Sequence, residues 1–196
     1  MKITMNSNKL QKLAFAAVAA LALSLTGGSR ASAQDFALST NAVDYLNFGT
    51  LNAEMSYSLT RHWTATASFR YNPFLFGEEG SEVTNRQRTF SAGTRYWPWH
   101  VYSGWWFGGK LQWQEFNRGG ITSRKSREGF RAGTGASLGY TYMLGKHFNL
   151  DFGVGLWTGY EDYTVYQCPV CGLTVEKGKK FFLLPNDLVA ALSYIF

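Results

Sequence analysis

Cys168-Pro169-Val170-Cys171 is the sharpest chemical motif in the chain. Two thiols at this spacing exchange disulfides in thioredoxin-like folds, where a helix start lowers the pKa of one of them. No strand-helix-strand pattern surrounds the motif, and none of the three histidines lies near enough to complete a four-ligand zinc site. The expectation is therefore a small structural disulfide between Cys168 and Cys171, closed in an oxidising compartment and stiffening a loop tip. His62, His100 and His147 are the candidate general bases. All three fall in short predicted turns, no Gly-x-Ser-x-Gly elbow accompanies them, and His147 neighbours Asp151 only in sequence. Catalysis, cofactors and metal are not expected. The remaining candidates are charges: Glu78, Glu79 and Glu82 in one predicted loop, Arg118, Arg124, Lys125 and Arg127 in the next, and Lys177, Lys179 and Lys180 in the last. The basic groups read as a crown that contacts phosphates or docks a partner; the alternative is that they are solvated or pair with the acidic loop.

Those residues need elements to hold them, and the compartment comes first. Lys2, Lys9, Lys12 and Arg30 precede or flank an apolar run from Leu13 to Leu25, and the small residues Ala31-Ser32-Ala33 follow. This is the layout of a secretory signal, with cleavage expected after Ala33. A membrane anchor is the alternative, but a run this short falls below the roughly 20 residues that a spanning helix requires. Those four basic residues supply most of the formal charge of +6, so residues 34–196 carry little net charge. A basic field able to gather nucleic acid is excluded.

The expected mature domain, 34–196, has the composition of an all-β protein. The whole chain contains 15 Phe, 11 Tyr, 7 Trp and 21 Gly, against 16% charged residues. Its apolar residues alternate with a period of two, which sends successive side chains to opposite faces of a sheet. Leu51, Ala53, Met55, Tyr57 and Leu59 share one face, and Asn52, Glu54, Ser56 and Ser58 the other. The same reading applies from Trp63 to Tyr71, Phe90 to Tyr96, Trp105 to Trp113, Phe130 to Tyr142 and Phe148 to Leu156. A first strand near Phe36–Val43 and a last near Leu184–Phe196 bring the number to eight.

Tight links at Thr60–His62 and Leu144–His147, with a moderate one at Pro98–Ser103, alternate with long ones at Asn72–Gln87, Asn117–Glu128 and Glu161–Phe182. The link Asp44–Thr50 is short for its side. Short turns on one rim, long loops on the other and an even strand number predict an eight-stranded antiparallel, up-and-down transmembrane β-barrel. A soluble β-sandwich also alternates. Against it stand the aromatic residues near strand ends, among them Tyr71, Tyr96, Trp97, Trp99, Trp105, Trp113 and Tyr160, placed as girdles are. The ending Leu188-x-Ala190-x-Leu192-x-Tyr194-x-Phe196 also resembles the signal by which barrels reach their assembly machinery, Phe196 being its last residue.

Eight strands enclose a space that side chains fill. Glu54, Asp151 and Asp187 are expected there with Arg70, Arg95, Lys110 and Arg131, because an unpaired buried charge costs several kcal/mol. The expectation is an ion-paired plug; its rival is an ion path.

Several segments carry a family resemblance: Leu38-Ser39-Thr40-Asn41 with Asn52-Ala53-Glu54, Arg95-Tyr96-Trp97, the glycine-rich Gly133–Tyr140 and Phe148-Asn149-Leu150-Asp151-Phe152-Gly153-Val154-Gly155. With the late Cys, Lys177–Lys180 and Pro185-Asn186, the chain resembles a Bacteroidales outer-membrane β-barrel family catalogued as domain of unknown function 3575. The resemblance implies a barrel in the outer membrane of a Gram-negative cell, in contact with its lipid and lipopolysaccharide. It brings no catalytic residues. Genes for such proteins often neighbour those of fimbrial subunits, which implies a non-enzymatic role in fimbrial assembly or adhesion with a surface-protein partner. An outer-membrane lipid hydrolase of the lipid A-modifying type is the alternative.

Overall fold

The computed structural model describes residues 35–76, 83–120, 125–167 and 173–196. The proposed signal with Ala33, the Cys168/Cys171 pair, Arg124 and the acidic trio Glu78, Glu79 and Glu82 lie outside them. The chain runs β1 (Phe36–Asn41), a one-turn helix α1 (Ala42–Leu46), β2 (Leu51–Ser58), β3 (Trp63–Asn72), β4 (Val83–Tyr96), β5 (Gly104–Gly119), β6 (Ser126–Met143), β7 (Phe148–Tyr166) and β8 (Thr174–Ile195). A two-residue strand, Leu75–Phe76, pairs with the start of β4 outside the ring.

Each strand pairs antiparallel with the next, and β1 closes on β8 through Ala37 to Asn41 opposite Ile195 to Ala191. The barrel is closed, eight-stranded and antiparallel. Following partners around the ring from Ser39, through Glu54, Ser68, Ser91, Gln112, Gly133 and Gly159, returns to β8 at Phe182, eleven residues short of Ser39's own partner Ser193. One of those residues is absorbed by the bulge between Gly155 and Trp157, where β8 carries an extra residue. The remaining stagger implies strands tilted about 43° from the barrel axis and a rise of about 2.4 Å per residue along it.

The wall is inverted relative to a soluble core. Large apolar side chains face outward, including Leu111 at 66% and Phe181 at 63% exposure, whereas the inward face buries Thr64, Gln87, Gln112, Gln114, Asp151 and Asp187. The outward row Phe69–Phe90–Trp113–Ala132–Tyr160–Phe181 is mostly aromatic, with ring centroids 4.8 Å apart at Phe69/Phe90 and 5.8 Å at Tyr160/Phe181. Two residues further along the strands, the outward row becomes Tyr71–Arg88–Glu115–Phe130–Asp162–Lys179. At the opposite end Phe148, Tyr194, Phe196 and Phe36 stack on one another. The twelve positions from Phe148 to Tyr160 rise about 29 Å at that tilt.

Two expectations are corrected here. The long links are largely strand: β4 begins at Val83, β6 at Ser126, β7 reaches Tyr166 and β8 begins at Thr174. The wall is therefore unequal, 6 residues in β1 against 22 in β8. Among the described residues β8 meets β1 only from Ala191 to Ile195, and the backbone of its upper part has no strand on that side. Asn41 ends the pairing by donating from Nδ2 to the Leu188 carbonyl and accepting the Ala190 N–H, two bonds that imitate one more residue of ladder. Trp97, expected in a girdle, turns inward instead and donates from Nε1 to Thr64 Oγ1 at 3.1 Å.

Trp97 joins Val101, Tyr102, Trp106, Ala37 and Ile195 in an apolar floor that closes the end holding both termini of the barrel. Tyr102, at φ 63°, folds the β4–β5 link under the ring, and its hydroxyl donates to the carbonyls of Asp35 and Ser56. Trp106 fits because Gly139 and Gly153 stand opposite it: a Cβ at either would come within 2.3 and 2.8 Å of the indole.

Candidate functional site

The inward charges above this floor form two storeys. In the lower one Arg95 Nη2 lies 2.6 Å from Glu54 Oε1, Lys110 Nζ 2.6 Å from Asp187 Oδ2, and Arg70 Nε 2.9 Å from Asp44 Oδ2. Arg70 also reaches Asp187 at 3.6 Å. The Arg95 guanidinium lies 4.4 Å from the Trp106 ring, so the ionic layer rests on the aromatic one. Three carboxylates face three cations, the balance that buried charges require. Asp44 comes from α1, the turn that leans over the mouth. Burial raises its carboxyl above the ordinary range, and Arg70 opposes the shift.

The upper storey is unequal. Arg131 Nε lies 2.6 Å from Glu161 Oε2 and Arg127 Nη2 2.5 Å from Glu161 Oε1. Arg131 is also sandwiched against Phe116, 4.2 Å from its ring, and Arg127 against Tyr163 at 3.9 Å. Arg118 faces the same space. Its Nε is buried without a hydrogen-bond partner, and among the described residues it makes no ion pair. A mouth cavity of about 340 Å³ opens beside it, lined by Arg118, Asn85, Val43, Phe48 and Leu188, with Asp44 on the far side.

Of the seven expected lumenal groups, Glu54, Arg70, Arg95, Lys110, Arg131 and Asp187 pair inside the barrel. Asp151 does not join them. It accepts hydrogen bonds from the Thr141 and Ser193 hydroxyls low in the barrel, and among the described residues it makes no ion pair. Asp44 and Glu161 are the members the sequence reading missed. Both sat in predicted links, although Glu161 continues the inward, odd-numbered parity of Asp151 along β7, the extra residue of the bulge lying on β8.

Among the described residues the basic groups of the expected crown do not gather on one surface. Arg118 and Arg127 lie on β5 and β6 and turn inward, Lys125 precedes β6, and Lys177 and Lys179 lie on the outward face of β8. Lys179 Nζ is 3.5 Å from Asp162 and 80% exposed, and Lys180 stands 5.8 Å from the Tyr163 ring. Outside the barrel, a concavity of about 570 Å³ lies between the charged rows, with Arg86, Arg88 and Lys177 facing Glu115, Glu128 and Asp162. The histidines are held on the turn rim: each Nδ1 meets a backbone carbonyl, His62 that of Trp97, His100 that of Val101 and His147 that of Ile195.

The comparison with known families is decided by one match, which runs over residues 17–196 to the family described as a protein of unknown function, DUF3575. The chain belongs to DUF3575. No curated protein and no solved structure matches it. What distinguishes this DUF3575 chain chemically is therefore read from its own geometry: a neutral lower lumen, a cationic mouth and a charged outer collar.

Proposed function

We propose that the protein is a non-enzymatic outer-membrane β-barrel of a Gram-negative cell, exported by a signal cleaved after Ala33, whose projecting wall presents a docking surface to a surface-protein partner. The observation that carries this reading is the inverted wall. An outward face of exposed Leu, Phe, Val and Trp around a buried polar interior is stable where lipid tails replace water outside. The band between the aromatic rows, about 29 Å along β7, matches a bilayer's hydrocarbon core. The change from aromatic to charged outward rows within two residues fits a lipid-water boundary.

β8, with 22 residues, rises about 50 Å at the same tilt, and about a third of it, Thr174–Lys180, stands clear of that band. The outer concavity lies on this projection. Its mixed charges suit a polar partner, and fimbrial or adhesive surface proteins are the class proposed. The same collar would meet lipopolysaccharide phosphates through Arg86 and Arg88. Phe196, 60% exposed on the lower aromatic rim, is the residue offered to the assembly machinery. The histidine rings, each meeting a backbone carbonyl on the turn rim, support a structural rather than a hydrolytic use.

The test is fractionation of the native host. The protein should remain in the outer-membrane pellet after carbonate extraction and show heat-modifiable gel mobility, whereas recovery in the soluble periplasmic fraction would overturn the reading. Crosslinking on intact cells should then capture a surface protein with the parent chain and lose it when Arg86, Lys177 and Lys179 are changed together to Glu.

A further inference from the structure

The cationic mouth calls for a counter-charge that the described residues do not supply. In the lower lumen three carboxylates answer three cations, whereas above it Glu161 alone is shared by Arg127 and Arg131. Arg118 is left over in the same electrostatic neighbourhood. Its cross-strand partners are Arg127, another cation, and Asn85, a neutral residue whose amide donates to Asn47 Oδ1 at 2.9 Å. A guanidinium with a buried, unpartnered N–H is costly unless something accepts from it, and guanidinium forks are matched by tetrahedral oxyanions. The adjoining cavity is large enough for such a group. Asp44, the acid across that cavity, is already neutralised by Arg70.

We propose that the barrel mouth is a binding site for a phosphate-class anion, with Arg118 as its direct ligand and Arg127 and Arg131 supplying the surrounding positive field. Val43, Phe48 and Leu188 line the same cavity, so a phosphate monoester carrying an alkyl or acyl arm fits it as well as inorganic phosphate does. The site lies inside the mouth and is distinct from the outer collar offered above to a protein partner. It depends on the closed barrel and not on the identity of that partner.

Calorimetric titration of the purified full mature chain, folded in a maltoside detergent free of phosphate, tests it. Inorganic phosphate should bind saturably at one site. Arg118→Gln should weaken binding about ten- to a hundredfold, the loss expected for a charge-assisted hydrogen bond. Asn85→Asp, which sets a carboxylate against Arg118 at nearly constant volume, should abolish it. Arg61→Gln, in the exposed turn between β2 and β3 at the opposite end of the barrel, should leave it unchanged. Circular dichroism and heat-modifiable mobility identify any variant that has not folded. Dihexanoyl phosphatidic acid binding at least about tenfold more tightly than inorganic phosphate, with dihexanoylglycerol silent, would assign a lipid headgroup; equal affinity would assign a free anion. Absence of saturable binding by both phosphate ligands, or parental affinity in folded Arg118→Gln and Asn85→Asp, would overturn the proposal.

Discussion

Asp187 is 3% exposed and receives Lys110 at 2.6 Å, with Arg70 more distant at 3.6 Å. Replacing Lys110 by Met preserves most of the packing and removes the nearer cation, leaving a buried carboxylate under-compensated. Unfolding by urea in micelles should show a loss of about 3 kcal/mol. Substituting both partners, Lys110→Met with Asp187→Leu, should recover most of that loss, since paired removal strands no charge. An unchanged single variant would show that Arg70 suffices. The inward partners were legible where the alternation was clean, as at Glu54, Arg70, Arg95 and Lys110, because one charge among outward apolar neighbours announces its face. Asp44 and Glu161 were not legible. The first reaches the lumen from a helical turn, and the second keeps the odd-numbered parity of Asp151 along β7 but lies where both faces of the strand turn polar and the alternation fades. Asp151 was legible in its direction but not in its partners, since two hydroxyls close in space leave no mark in a linear reading.

The strands show why the alternating signal stops where it does. Between the two aromatic rows the outward face is apolar and the inward face lines the lumen, so sequence and pleat agree. Above the upper row both faces are polar. Arg127, Glu128, Glu161, Asp162 and Lys177–Lys180 then read as loop although each lies in a ladder. The β4–β5 link misleads in the opposite sense, because Trp97 is apolar for the sake of a floor and not a girdle. That floor makes a prediction at the same scale. Trp106→Ala should lower stability by about 3–5 kcal/mol, the usual cost of truncating a buried tryptophan. Gly153→Val should perturb folding as well, because its new side chain would occupy the space the indole now fills. Refolding yields from urea into micelles, followed by heat-modifiable mobility, would measure both. Parental behaviour of Gly153→Val would mean that Trp106 has room to move.

For the whole molecule, an aromatic floor beneath ionic layers implies a barrel without a through-channel. Purified protein in planar bilayers should show no stable unit conductance. Trp106→Ala combined with Trp97→Ala is the variant in which brief openings are expected, and steady conductance in the parent would contradict the filled interior. A last consequence follows from the unequal wall. The upper part of β8 keeps a row of amides and carbonyls with no neighbour among the described residues, the kind of border along which identical molecules zip together. Lys177, Lys179, Lys180, Pro185 and the bulge beside it all fall on that border. Like-charged lysines repel a second copy, and a proline withholds a donor. The basic run would thus keep neighbouring copies of the barrel apart, and exchanging the three lysines for Thr should increase side-by-side pairs on native gels relative to the parent chain.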